Sequence, residues 1–272
     1  MSFPLEAINA VLDRLSRHPF YLGRLPDAVS GLTEFASAIP LMSRADFVSE
    51  MQKPGYGTFG GTRTVRMNLS PMGGGLVPVM QTRGDLDRMI ASCRTHLDAC
   101  GIDDGDVCAV FFGYHLFVAG LFYQSQMEAH GVTCIPLGPG EADRAAEICN
   151  ANNVNILAGN PSFSIRLLES GVRTPKVFFA GGEAFSGNKT LYNSVANAMP
   201  DTMLVDSFSL SEFLPVGRTF PGGQGVHIFD ELVYAEVIDP ETLKPVEDGE
   251  RGELVLTHLH KEAQPLIRYR TG

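Results

Sequence analysis

The sequence predicts an α/β fold: a mostly parallel sheet flanked by helices, followed by a β-rich C-terminal lobe. Three observations predict it. Short apolar runs of strand length recur along the middle of the chain, helix-compatible segments separate them, and a pair of alternating runs near the end flanks a turn-rich connector. With 272 residues and 44% apolar content, the chain can bury roughly 70 to 75% of its unfolded surface, enough for one large domain or two fused lobes.

The elements follow in order. Leu5, Ile8, Val11, Leu12 and Leu15 recur at helical spacing, so the chain opens with an amphipathic helix that ends near Pro19. The stretch from Lys53 to Gly75 is poor in apolar residues and dense in glycine, which predicts a loop rather than a helix or a central strand. From Asp85, a stripe of Leu86, Met89, Ile90, Cys93, Leu97 and Cys100 predicts helix, and Val107–Phe112 a buried strand. Runs at Val132–Leu137, Val154–Gly159, Val177–Gly181 and Met203–Phe208 repeat the theme. Strands buried on both faces and separated by helices form parallel sheets, which bind ligands beyond the carboxyl ends of their strands. Leu232–Asp239 and Gly252–Leu259 flank a connector with Pro and Asp-Gly, the pattern of an antiparallel hairpin. Residues 1–80 are thus expected to form a helical entry with the glycine-rich loop, 81–210 the sheet core, and 211–272 the β-rich lobe.

Composition excludes several classes. A formal net charge of −10 argues against a nucleic-acid or anionic-membrane binder, since both need a surplus of Lys and Arg on one face. Five scattered cysteines without a CxxC pair read as buried reduced thiols of a cytoplasmic protein. His258 and His260 alternate like strand residues, which would put both on one face, but they lack partners at metal-ligand spacing. No basic segment followed by an apolar run opens the chain, and no stretch approaches twenty apolar residues, so neither a signal peptide nor a membrane span is expected.

Four segments carry candidate chemistry. Gly57–Arg63 (GTFGGTR) has glycines that let backbone N–H groups approach a phosphate, with Thr58 hydroxyl and Arg63 charge nearby. A glycine-rich surface turn is the alternative, and no Gly-Lys-Ser/Thr follows as in a Walker loop. Ala180–Phe185 (AGGEAF) and Phe208–Glu212 (FSLSE) each follow an apolar strand, and Ile267–Gly272 (IRYRTG) closes the sequence.

In this order and spacing, these segments resemble the adenylate-forming (acyl-CoA synthetase) superfamily, in its phenylacetate-CoA ligase-like branch. FSLSE looks like that branch's tyrosine-glycine-leucine-serine-glutamate motif, and GTFGGTR like its glycine-rich serine/threonine loop. HPFYLGRL, Ile39–Phe47, Gly113–Leu121, Gly225–Asp239 and the last two dozen residues add to a similarity that covers nearly the whole chain.

The resemblance implies that residues 1–272 are the large N-terminal acid- and nucleotide-binding domain, with the small C-terminal domain and its catalytic lysine absent and turnover therefore poor. It implies attack of a carboxylate on the α-phosphate of ATP to give acyl-AMP and pyrophosphate, then displacement of AMP by the thiol of coenzyme A. Such catalysis rests on positioning and charge stabilisation. Carried over residue by residue, Gly57, Thr58, Gly60, Gly61, Arg63, Gly181, Gly182, Glu183, Phe208, Ser209, Ser211 and Glu212 would contact nucleotide. Glu212 would hold Mg²⁺, its bland alternative being an exposed glutamate at a strand end. Phe208 would stack on adenine or serve as a core phenylalanine. Tyr114, His115, Phe117, Pro136, Ala180 and Gly181 would line the pocket of a small aryl acid. Glu212, Thr58 and His115 are the candidate catalytic residues, although a histidine beside aromatics is equally a packed core residue. The branch commonly forms homodimers.

Departures concentrate in the glycine loop. Phe59, Gly61 and Thr62 stand where the family has threonine, lysine and proline, and Tyr56 stands at a usual serine. Hydroxyls and a cation that would face the triphosphate are missing. A second reading is therefore open, in which an aryl-acyl group moves between coenzyme A and an acyl carrier protein without ATP, as is a relative that adenylylates a cofactor.

Overall fold

The computed structural model describes residues 3–223 and 225–272. The chain forms two compact units, Met1–Leu86 with Asp230–Gly272, and Asp87–Phe229. The antiparallel strands expected to stand as a lobe after residue 210 instead join the N-terminal segment. Backbone bonds explain this: Met42 N–H donates to the Arg268 carbonyl and Arg270 N–H to the Met42 carbonyl. Pairing across more than 220 positions leaves no local pattern in the sequence.

The first unit opens with helix α1 (Leu5–Ser16), which buries Ile8, Val11, Leu12 and Leu15 as the periodicity requires. Helix α2 covers Leu32–Ala38. Helix α3 (Arg44–Met51) starts at a capping box in which Ser43 and Asp46 satisfy each other's backbone N–H groups, an arrangement that stabilises a helix end by about 1 kcal/mol. A 3₁₀ turn at Pro54–Phe59 follows. The expected loop through Gly75 stops short, because β1 (Arg66–Met72) and β2 (Gly75–Gln81) pair as an antiparallel hairpin. Gly73 and Gly74, at φ of 56° and 80°, form its two-residue turn, which needs two left-handed residues to match the strands' twist. In β1 the buried positions are Asn68, Ser70 and Met72 while Met67 is 44% exposed. This inverted pattern hid the strand. Helix α4 (Arg83–Ala91) comes next.

The second unit carries the parallel sheet. Helix α5 (Arg94–Ala99) precedes β3 (Val107–Val110), α6 (Ala119–Ala129), β4 (Thr133–Pro136), α7 (Ala142–Ala151), β5 (Ile156–Gly159), α8 (Pro161–Glu169), β6 (Val177–Gly181), α9 (Lys189–Ala198) and β7 (Met203–Phe208). The short strands β8 (Gly217–Arg218) and β9 (His227–Ile228) complete it. The order is β4-β3-β5-β6-β7-β8-β9, parallel from β4 to β7 and antiparallel beyond. Every residue of β5 and β6 is buried, as strands covered on both faces must be. On one face, Leu157, Phe178 and Ala180 pack with Ala146, Cys149, Leu167 and Val195 of α7, α8 and α9. Alternation sends Phe179 and Gly181 to the other face.

The first unit closes with β10 (Val233–Ile238), β11 (Glu253–His258) and β12 (Tyr269–Arg270), an antiparallel sheet in that order that contains the expected hairpin. His258 is buried and accepts from Leu266 N–H through Nδ1, whereas His260 lies past the strand end and is exposed. The two therefore do not share a face. All five cysteines are free thiols. Among the described residues, no helix is long and apolar enough to cross a membrane.

Candidate functional site

The strand order reverses between β3 and β5, so the connections after β3 and β4 leave in opposite directions and open a crevice at the carboxyl edge. A cavity of about 170 Å³ lies at this edge, walled by Phe112, Phe117, Val118, Tyr123, Gly181, Gly182, Ser207, Ser209 and Ser211 among others. A cavity of roughly 150 Å³ accommodates benzene, so this one suits a small acid. Its aromatic wall is organised: Phe112 stacks on Tyr123 with centroids 4.9 Å apart and planes 20° from parallel.

Two glycines form the rim, and the second needs to be one. A Cβ on Gly181 would sit 3.4 Å from the Ser207 carbonyl oxygen and 3.7 Å from Tyr123 Oη, which narrows the cavity. Gly182 has φ of 77°, and a Cβ there would lie 2.8 Å from Asn160 Nδ2, the group that donates to the Gly181 carbonyl.

The structure brings together Phe117, Gly181, Gly182, Ser209 and Ser211 around one space. Phe208 is 37% exposed at the end of β7, so it is not a core phenylalanine, and Glu212 is buried rather than an exposed strand-end glutamate. Glu183 is exposed and accepts from the Ser162 hydroxyl. Ala180 belongs elsewhere: alternation turns it into the core beneath α7, α8 and α9. Pro136 ends the edge strand β4, separated from β6 by β3 and β5, and is not part of the cavity wall. Tyr114 packs toward the β4 side, near Gly138. His115 is exposed, its ring edge-on to Phe117 at 5.9 Å, so the packed-core alternative does not hold.

Sequence reading missed Phe112, Tyr123 and Ser207. Phe112 lies two positions beyond Val110 and Ser207 two before Ser209, so strand alternation extended past the motifs would have found both. Tyr123 follows Ala119 by one helical turn, a signal visible only once α6 is known to face the cavity.

Behind Tyr123 and Ser207 lies Arg218, 1% exposed. It faces Ser207 across the β7–β8 ladder. Its guanidinium carbon is 5.3 Å from the ring centroids of both Tyr123 and Phe179. Next to it His96 is fully buried. Burial and then the Arg218 charge push its imidazole down to about 4. The neutral ring donates through Nε2–H to the Thr219 carbonyl at 2.8 Å. A second cavity in this unit, about 440 Å³, borders Ser186, Asp206, Thr219 and Phe220. There Asp206 already accepts from the Ser186 amide and hydroxyl.

The glycine loop lies in the first unit and is closed on a carboxylate of its own chain. Glu50 Oε1 accepts from Thr58 N–H at 2.7 Å and from the Thr58 hydroxyl at 2.9 Å, and Lys53 donates to Oε2. Burial works against the Glu50 charge, but the bonds from Lys53 and Thr58 outweigh it and hold the carboxyl below its ordinary value. A Cβ on Gly57 would lie 2.3 Å from Glu50 Oε1, and one on Gly60 would lie 1.7 Å from the Gly55 carbonyl oxygen. Gly61 meets nothing within 4 Å and Arg63 is exposed. In this conformation the Thr58 donors are engaged by a carboxylate of the chain itself, while Gly61 and Arg63 are open.

For a metal, the described residues contain no group of three or more His, Cys, Asp or Glu side chains. Mg²⁺ in nucleotide sites typically takes one or two carboxylates, with phosphate and water as its other ligands, and a single Glu212 is compatible with that donor set.

No protein-family model matches the sequence. Over 98% of its length the chain superposes on 2-hydroxyisobutyryl-CoA ligase, solved in an open conformation with 2-HIB-AMP and CoA, at a TM-score of 0.89 and 21% identity, covering 67% of that chain. The chain shares the fold of that part of the ligase. In sequence, the chain is similar to phenylacetate-coenzyme A ligases. It is 29% identical to that of Aromatoleum evansii over 201 residues, 70% of this chain and 45% of the relative. With that of Escherichia coli K12 it shares 29% over 202 residues, 70% and 46% of the two chains. The chain thus spans just under half the length of the curated relatives it matches.

Proposed function

We propose that the protein carrying this chain activates a small aryl acid with ATP to acyl-AMP and passes the acyl group to coenzyme A. The observation that carries this is the cavity at the carboxyl edge of the sheet, where Gly181, Gly182, Ser209 and Ser211 meet an aromatic wall of benzene-like size. In the proposed site, the flat acid lies between Phe112, Phe117 and Tyr123, with its carboxylate toward Gly182 and the Ser209–Ser211 turn. Gly181 and Gly182 keep the rim open by carrying no side chain. Phe208, exposed at the end of β7, offers its ring to adenine, and the exclusion of water by the aromatic wall strengthens every polar contact inside. Glu212 would hold Mg²⁺, which supplies charge to offset repulsion between the carboxylate and the triphosphate. Free thiols suit a reducing cytoplasm.

A second reading has its own support. The Glu50–Thr58 bonds engage the donors that a triphosphate would use, which favours acyl transfer between coenzyme A and a carrier protein without ATP. Pyrophosphate release by the protein carrying this chain, with ATP, Mg²⁺ and a panel of aryl acids, separates the two. Acid-dependent release supports ligation. No release with any acid, together with acyl exchange between coenzyme A and a carrier protein, overturns it in favour of the second.

A further inference from the structure

Behind two residues of the acid cavity's wall, Tyr123 and Ser207, lies a buried positive charge with no anionic partner. Among the described residues, Nε, Nη1 and Nη2 of Arg218 are buried without a hydrogen bond of good geometry, as are Tyr123 Oη, Ser207 Oγ and both polar atoms of the Gln126 side chain, and the one contact within the cluster is that of Tyr123 Oη with the Ser207 and Arg218 side chains. Tyr123 and Ser207 line the cavity, Arg218 lies directly behind them, and Gln126 sits one turn along α6 from Tyr123. The residues Arg218, Tyr123 and Gln126 are 1%, 3% and 1% exposed.

A buried guanidinium presents five N–H donors and a full charge. The four rings around it, of Phe122, Tyr123, Phe179 and Phe229 at 5.3 to 5.9 Å, attract the charge through their faces but accept none of the in-plane donors. The neighbouring titratable groups supply no negative charge either. His96 is neutral, and burial pushes the Cys100 thiol up to about 11. Native proteins rarely leave such a group unpaired without a ligand or a function to account for it.

What completes the cluster is a compact anion with oxygen acceptors, and a carboxylate matches the guanidinium fork in shape as well as charge. Gly181 leaves the approach wide, since a Cβ there would reach van der Waals contact with Tyr123 Oη and the Ser207 carbonyl oxygen. We propose that the acid bound in this cavity is a dicarboxylate, whose second carboxylate, distal to the reacting one, is selected by Arg218 with Tyr123 and Ser207. The proposal rests on the reading of the cavity as the acid site. It narrows that reading to acids with an anionic far end.

Calorimetry with the intact chain and two matched pairs of probes, benzoate against terephthalate and butyrate against succinate, tests it. In at least one pair the dianion binds about tenfold tighter or better, the scale of a desolvated charge-assisted contact. Arg218→Met reduces that preference to less than about twofold while leaving the affinity for the monoanion within about twofold. Arg218→Lys keeps part of the preference, and Tyr123→Phe lowers it without emptying the space.

Equal affinities within both pairs, or a preference that survives Arg218→Met, overturn the proposal while leaving the acid site standing. Binding of no probe at all overturns the acid site itself, and the proposal with it. Should Arg218→Met not fold, an undiminished preference in both Arg218→Lys and Tyr123→Phe overturns the proposal.

Discussion

Each unit buries one arginine almost completely, and the two are solved in opposite ways. In the first unit Arg268, 2% exposed, makes a two-point contact with Glu236 through Nε and Nη2 at 3.2 and 3.1 Å, while Nη1 donates to the carbonyls of Ala36 and Ile39. In the second unit Arg218 has aromatic faces and no carboxylate partner. The first arrangement ties β10 to the C-terminal end of α2 and uses four of the five guanidinium donors. The second meets no anion and, beyond its contact with Tyr123 Oη, retains its donors. A charge that faces its counter-charge marks a scaffold; one that lacks it beside a cavity marks a site.

The comparison can be broken from either side. The largest effect is expected at Glu236→Gln, which removes the charge opposite Arg268 and leaves a buried cation: destabilisation of about 3 kcal/mol in urea unfolding. Arg218→Met should act with the opposite sign, stabilising by about 1 to 2 kcal/mol, because an uncompensated charge gives way to apolar volume. Loss of stability at Arg218→Met comparable to that at Glu236→Gln would erase the distinction.

The Glu50 latch gives a smaller effect that can be read against pH. Its carboxyl is a stronger acid in the folded chain than in the unfolded one. Its contribution is therefore complete above the ordinary carboxylate range near 4.5 and is lost as pH falls through the lowered folded value. Glu50→Gln is expected to cost about 1 to 2 kcal/mol at pH 7, the scale of hydrogen bonds to a charged acceptor, and the gap to the parent should close in acid. A pH-independent gap would mean that the charge plays no part.

The smallest effect is on His96. Its pKa is lowered to about 4 by burial first and by Arg218 second, so its contribution to stability is complete above about 6.5 and falls as pH drops toward 4. Arg218→Met removes only the second cause. An NMR titration should then find the imidazole pKa raised but still below 6.5, and an unchanged value would show that burial alone sets it.

The sheet was legible because its strands are buried on both faces and its helices are spaced regularly, and Gly181 and Ser209–Ser211 were legible through their motifs. What escaped did so for physical reasons. The β1–β2 hairpin buries Asn68 and Ser70 and exposes Met67, which inverts the usual alternation. The register of β6 decides that Gly181 faces the cavity while Ala180 faces the helices, and a motif does not state a direction. Arg218 sits in an unremarkable stretch, and only the strand pair β7–β8 places it behind Ser207. Glu50 looked like one more charge on α3, since its bonds to Thr58 span eight residues around a turn whose Gly55, Tyr56 and Gly57 have positive φ.

Titration of benzoate by calorimetry into the chain and into Gly181→Val asks whether the acid lies at the sheet edge. The acid is predicted to bind the native chain and to lose at least about tenfold in affinity in the variant, because the added side chain stands in the cavity against Tyr123 and Ser207. Equal affinity for both, or binding to neither, would contradict the placement of the acid at the sheet edge.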